Sequence, residues 1–157
     1  MAQAYIVAAA RTAGGRKGGR LSGWHPADLA GSVLDALIAR TGADPALVED
    51  VIMGCVSQGG QQAGQVGRNA VLAARLLPDS VPAVTIDRQC GSSQQAYHFA
   101  AQGVMAGAYD IAVAAGVEVM SLVPMGGSIG RNIGFPFGAA ADRYTDVELL
   151  EGHPGLI

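Results

Sequence analysis

Four short runs, AYIVAAA (Ala4 to Ala10), DVIMGCV (Asp50 to Val56), AVTI (Ala83 to Ile86) and IAVAAGV (Ile111 to Val117), are apolar on both faces and bounded by turn or charged residues. A strand with one wet face alternates polar and apolar side chains. These runs do not, so they read as buried strands of a sheet covered on both sides. Between them lies the helical period. From Asp28, residues Leu29, Val33, Leu34, Leu37 and Ile38 recur three to four apart, with Pro26 suited to a first turn and Gly42 to a C-terminal stop. Gly64 to Leu77 repeats the pattern through Val66, Ala70, Ala73 and Leu76 and ends at Pro78. A third helix is predicted from about Ser92 to Met105, turning Ala96, Phe99, Ala100 and Val104 inward. The alternation predicts an α/β layered domain, βαβαβαβ, with right-handed crossovers.

The 157 residues suffice for one domain with a core. Half are hydrophobic and only 5% aromatic, with 23 glycines, so that core must be built from Ala, Val, Leu and Ile on closely packed backbones. After Glu118 the texture changes: VMSLVPMGGSIGRNIGFPFGAAADRY has no clean period and reads as a long irregular excursion. No strand pattern returns from it, and the layered domain looks unfinished.

A formal net charge of −3 provides no overall field for nucleic acid or an anionic membrane surface. Arg11, Arg16, Lys17 and Arg20 form a local basic stretch, readable either as a contact for a phosphate-bearing ligand or as a solvated glycine-rich loop. No apolar stretch approaches the roughly 20 residues of a membrane span. The opening residues lack the features of a secretory signal or a transit peptide. Two cysteines, with neither a CxxC nor a Cys/His cluster, make no disulfide framework and no zinc site. Reduced thiols in a cytoplasmic, soluble protein are expected.

Among chemical motifs, GRKGGRLS has Arg20 and Leu21 where a phosphate-binding GxxxxGK[ST] loop needs Lys and Ser or Thr, and no GxGxxG opens a helix after the first run. No GxSxG is present, so Ser92 and Ser93 read as caps of the third helix. His25 precedes a helix-starting Pro, His98 lies inside a helix without a second ligand at metal spacing, and His153 lies in the irregular tail; all three read as structural. Cys55 reads as a packing residue. Cys90 is different: it follows the third apolar run and precedes a helix, in DRQCGSSQQA. Ligands of such sheets sit at the carboxyl ends of strands. The free N–H groups of a helix N-terminus favour a thiolate and accept charge developing on a carbonyl oxygen under attack. Gly91 removes a side chain from the approach. Spacing alone leaves two readings open, a nucleophile or a small buried cysteine at a turn.

DRQCGSSQQA followed by AYDIAVAAGVEVMSLVPM resembles the nucleophile region of thiolases, the acyl-CoA C-acyltransferases that make or cleave 3-ketoacyl-CoA. AYIVAAARTAGGRKGG, HPADL and DVIMGCVSQGGQQAGQVGRNAVLAA resemble, in order, the family's opening strand and loop, first helix, and second strand and helix. The resemblance implies that Cys90 carries the acyl group as a thioester and that its own backbone N–H forms part of the oxyanion hole. It implies acyl-CoA and CoA as substrates and products, no separate cofactor, no metal, and a homo-oligomer in which AVTI pairs across a two-fold. Thiolases have two similar α/β halves with a loop domain inserted in the first. The expected organisation is therefore residues 1–118 as the N-terminal α/β domain without its last strand, 119–157 as the beginning of the inserted loop domain, and no C-terminal domain. The family's activating histidine, second cysteine, and water-positioning asparagine and histidine belong to motifs not found in these residues, so a fragment inactive by itself is expected. Ser93 and Gln94 stand where many thiolases have glycine and an apolar residue, which leaves acyl preference open. A related condensing enzyme, of the ketoacyl synthase or hydroxymethylglutaryl-CoA synthase type, and a non-catalytic module that pairs with another thiolase chain are the alternatives.

Overall fold

The computed structural model describes residues 3–128; most of the irregular excursion, with His153, lies outside them. Helix α1 (Pro26–Thr41) begins as its residues suggest: the His25 Nδ1 accepts the Ala27 N–H at 3.3 Å, and Pro26 fills a first-turn position that needs no N–H. It ends at Gly42, whose φ of 62° suits glycine. Strand β1 (Asp50–Gly54), α2 (Val66–Ala73), β2 (Ala83–Ile86), α3 (Ser92–Ala106) and β3 (Ala112–Gly116) follow. α2 stops before its apolar period does. The Arg75 and Leu76 N–H groups donate to one oxygen of Asp35 on α1, at 2.8 and 2.9 Å, rather than to carbonyls of the preceding turn.

Among the described residues the strand pairs are parallel, in the order β2-β1-β3, with Val51 opposite Ala83 on one side and Val113 on the other. Alternation along β1 sorts the core into two layers. Val51 and Met53 pack with Leu34 of α1 and Val66 and Val71 of α2, whereas Ile52 packs with Ala96 and Ala100 of α3. The connection from β1 to β2 thus covers one face through α2, and the connection from β2 back across β1 to β3 covers the other through α3. α3 buries its alanines: Ala96 is fully buried, but Phe99, expected inward, is 45% exposed. Small residues on this face bring the helix backbone close to the sheet, and Phe99 lies off that stripe.

Residues 4–10 depart from expectation. They join no ladder among the described residues, and Tyr5, Ile6 and Val7 are mostly exposed. Arg40 of α1 donates to the Ala9 carbonyl at 2.7 Å, and a cavity of about 840 Å³, lined by Ile6, Ala9, Leu29, Val33, Val113 and Ala115, lies between this segment and β3. An apolar run signals a need for burial. A strand also needs a neighbour at about 4.8 Å to take its hydrogen bonds, and the cavity separates this run from β3. No described helix is long and apolar enough to cross a membrane.

Candidate active site

β1 and β2 are neighbours whose outgoing connections leave toward opposite faces of the sheet, which opens a crevice at their carboxyl ends. Cys90 stands there, an exposed free thiol in the turn between β2 and α3. The turn is tightly bonded. Gly91 N–H donates to the Arg88 carbonyl at 3.1 Å and Ser92 N–H to the Gln89 carbonyl at 3.0 Å. The Asp87 carboxylate accepts the Gln89 N–H at 2.7 Å, and the Ser92 hydroxyl donates to the Gln89 carbonyl at 2.6 Å while accepting the Arg88 N–H at 2.9 Å. Gln89 itself takes a φ of 47°, a left-handed conformation rare for a residue with a side chain. The backbone N–H of Cys90 donates no hydrogen bond within the described residues, and a Cβ at Gly91 would meet nothing nearer than the Arg88 carbonyl oxygen at 3.5 Å. The thiol is therefore exposed, and its own N–H has no partner among the described residues.

Two glycines seat the helix that follows. A Cβ at Gly54, the last residue of β1, would lie 2.3 Å from the Ser93 nitrogen, and one at Gly116, the last of β3, 2.5 Å from the Ser93 Cβ. The first turn of α3 thus rests directly on the ends of two strands. The expected capping role of Ser92 and Ser93 is not seen: Gly91 is the N-cap, without a side-chain cap bond, and the Ser92 hydroxyl bonds backward into the turn. Serine at this point suits either job. Which one it does depends on the reversal at Gln89, which no local sequence pattern announces.

Cys55, at the end of β1, is buried, and its thiol is pushed from 9.0 up to about 12, first by burial, then by the charge and hydrogen bond of Glu118, then by the charge of Asp87. It packs and stays protonated. Glu118, just past β3, is one the sequence pattern left unmarked. Its carboxylate accepts the Val56 N–H at 2.7 Å, the Ser57 N–H at 3.2 Å and the Gln62 Nε2 at 3.2 Å. Gln62, fully buried, also donates to the Ser57 carbonyl at 2.8 Å and accepts the Val119 N–H at 2.6 Å. The loops leaving β1 and β3 are latched together beside the crevice. A single acid directly after an apolar strand was the available signal for Glu118; Gln62 reads like any surface glutamine.

His25 is committed to its cap, and His98 is exposed on α3 beside Tyr97. Arg11, Arg16, Lys17 and Arg20 are all exposed in a turn-rich loop, the first three bordering the cavity beside residues 4–10. No cluster of metal-ligating side chains occurs among the described residues.

Residues 4–146 match the family described as "Thiolase, N-terminal domain". The chain is 50% identical to the steroid 3-ketoacyl-CoA thiolase FadA6 of Mycobacterium tuberculosis, over 96% of this chain and 39% of that one. It is 37% identical to a 3-ketoacyl-CoA thiolase of Bacillus subtilis, over 98% of this chain and 38% of that one. The fold is similar to the crystal structure of the Bacillus anthracis acetyl-CoA acetyltransferase, with a TM-score of 0.71 and 40% identity, covering 77% of this chain and 30% of that one. The sequence thus spans about two fifths of the length of these curated relatives.

Proposed function

Because the chain belongs to the thiolase family, we propose that it supplies the nucleophile portion of an acyl-CoA C-acyltransferase that forms or cleaves 3-ketoacyl-CoA through an acyl-cysteine. One observation carries this reading: Cys90 is an exposed thiol at the head of α3, at the carboxyl ends of parallel strands, whereas the other cysteine is buried and held protonated.

In the synthetic direction the Cys90 thiolate attacks the thioester carbonyl of an acyl-CoA. A bond forms from Sγ to the acyl carbon, the bond from that carbon to the CoA sulfur breaks, and CoA leaves as a thiolate that takes up a proton. The negative oxygen formed in between is met by the unengaged Cys90 N–H. A second acyl-CoA, having lost a proton from its α carbon, then attacks the acyl carbon; the new C–C bond forms and the Cys90 thiolate is released. Degradation is the reverse, with CoA as acyl acceptor. The proton transfers are assigned to polypeptide outside the described residues, since Cys55 is buried and His25 is committed to a helix cap.

On this reading CoA is substrate and product, no further cofactor or metal takes part, nucleic acid and membrane are not partners, and the protein works in the cytoplasm. The cavity between β3 and residues 6–12 is taken as the slot for the remaining strand of the layered domain. β2, an edge strand with Val84 39% exposed, is taken as the contact to a second copy in a homo-oligomer.

Acetoacetyl-CoA thiolysis tests the proposal. The 157-residue polypeptide alone is expected to show no turnover, and the same residues joined to the remainder of a thiolase are expected to be active. Cys90→Ala in the joined protein should lower kcat by about a thousandfold or more. Turnover by the polypeptide alone, or an active Cys90→Ala protein, would overturn it.

A further inference from the structure

Among the described residues only Gln65 and Gln89 carry a side chain at positive φ, and Gln89 immediately precedes the nucleophile. Its left-handed backbone reverses the chain so sharply that α3 starts two residues after Cys90 gains its position, with Gly91 and Ser92 N–H groups turned back onto Arg88 and Gln89. A residue with a Cβ does not hold this conformation unaided. Two side chains supply what holds it. The Gln89 N–H donates to Asp87 Oδ1 at 2.7 Å, with the Gln89 side-chain amide donating to Asp87 Oδ2 at 3.4 Å, and the Gln89 carbonyl accepts the Ser92 hydroxyl at 2.6 Å. Ser92 is 5% exposed, so water competes little for that hydroxyl, which also satisfies the Arg88 N–H.

We propose that Asp87 and Ser92 are positioning residues for Cys90: by fixing the backbone of Gln89 in its left-handed conformation, they keep the thiol and its N–H in register with the start of α3. The inference rests on the reading of Cys90 as nucleophile. It assigns the two residues no contact with substrate. Their effect runs entirely through the geometry of Gln89, and so glycine, which takes positive φ without strain, can replace the restraint.

The test follows iodoacetamide alkylation of Cys90 at pH 7 in the 157-residue chain carrying Cys55→Ala, so that one thiol reports, with circular dichroism checking the fold. Ser92→Ala and Asp87→Ala should each slow alkylation about three- to tenfold, as the thiol loses its alignment with the helix terminus. Asp87→Asn keeps an accepting oxygen and should stay near the parent rate. Adding Gln89→Gly to Ser92→Ala should recover most of the loss, a rescue that general loosening of the turn would not produce. Folded Ala variants that react at the parent rate or faster, or no recovery with glycine, would overturn the proposal. If Ser92→Ala fails to fold, the Asp87→Ala and Asp87→Asn pair, at an exposed position, decides the matter. A parent chain whose Cys90 reacts no faster than in urea would overturn both the positioning role and the pre-set nucleophile; a fast parent with equally fast variants overturns the positioning role alone.

Discussion

Cys55 directly follows β1 and Cys90 lies in the turn after β2, and the two meet opposite environments. Cys55 points into the layer between β1 and the helices α1 and α2, where burial and the charges of Glu118 and Asp87 raise its thiol to about 12. This raised value makes a prediction about stability. In the unfolded chain the thiol titrates near 9.0, so the folded chain binds its proton more tightly. The resulting stabilisation is complete below pH 9 and is lost as pH rises from 9 towards 12. In urea unfolding, the advantage of the parent over Cys55→Ala should be about 1 kcal/mol near neutrality and should shrink steadily above pH 9; a gap independent of pH would contradict the assignment. The role of Cys90 could be suspected from its sequence neighbours, because a strand end followed by a helix start is visible as a change of hydrophobic period. The restraints on it could not. Asp87, Ser92 and the left-handed Gln89 look like ordinary polar residues until the chain reverses and their hydrogen-bonding groups meet.

At the level of strands and helices, period and punctuation located most of the layered domain. Pro26 and Gly42 bracket α1, the run at 83 became β2 with its ends unchanged, and the runs at 50 and 111 became β1 (Asp50–Gly54) and β3 (Ala112–Gly116), each slightly shorter than its apolar run. The run at residues 4–10 has the same apolar texture but no ladder, because pairing is a property of two segments and periodicity describes one. Tertiary bonding also overrode local pattern at the end of α2, where Asp35 captures two N–H groups, and at the face of α3, where alanine rather than phenylalanine turns inward. The close seat of α3 gives a direct prediction. Gly54→Ala and Gly116→Ala each force a methyl group to within 2.5 Å or less of Ser93, mainly against backbone and Cβ atoms that cannot swing away. Each should destabilise the chain by about 2–3 kcal/mol in urea unfolding. Gly14→Ala, with nothing within 4 Å, serves as the control and should change stability by less than about 0.5 kcal/mol. Equal stability of all three variants would mean that α3 does not rest on these strand ends.

As a whole, the molecule brings the exposed Cys90 thiol to the carboxyl edge of a parallel sheet and leaves much apolar surface open. Tyr5, Ile6 and Val7 are 70% exposed or more, beside the cavity along β3, and on the opposite side β2 is an edge strand among the described residues. Unpaired edges and apolar surface of this kind promote association. Sedimentation of the 157-residue polypeptide should show oligomers or aggregates, and Val84→Lys on β2 should reduce them; a clean monomer in both would contradict a sticky β2 edge. Family membership was legible because several blocks occur in order along the chain, each weak by itself. The acyl preference was not, because the polar Ser93 and Gln94 that follow Cys90 are both exposed and change the polarity there without defining a pocket. What the whole account stands on is the acyl-cysteine. Joined to the remainder of a thiolase, these residues should be mixed with acetoacetyl-CoA, quenched in acid within a turnover, and mapped by peptide mass. An acetyl group on Cys90 and none on Cys55 is the predicted result; acetyl on any other residue, or turnover with Cys90 unmodified at every quench time, would contradict it.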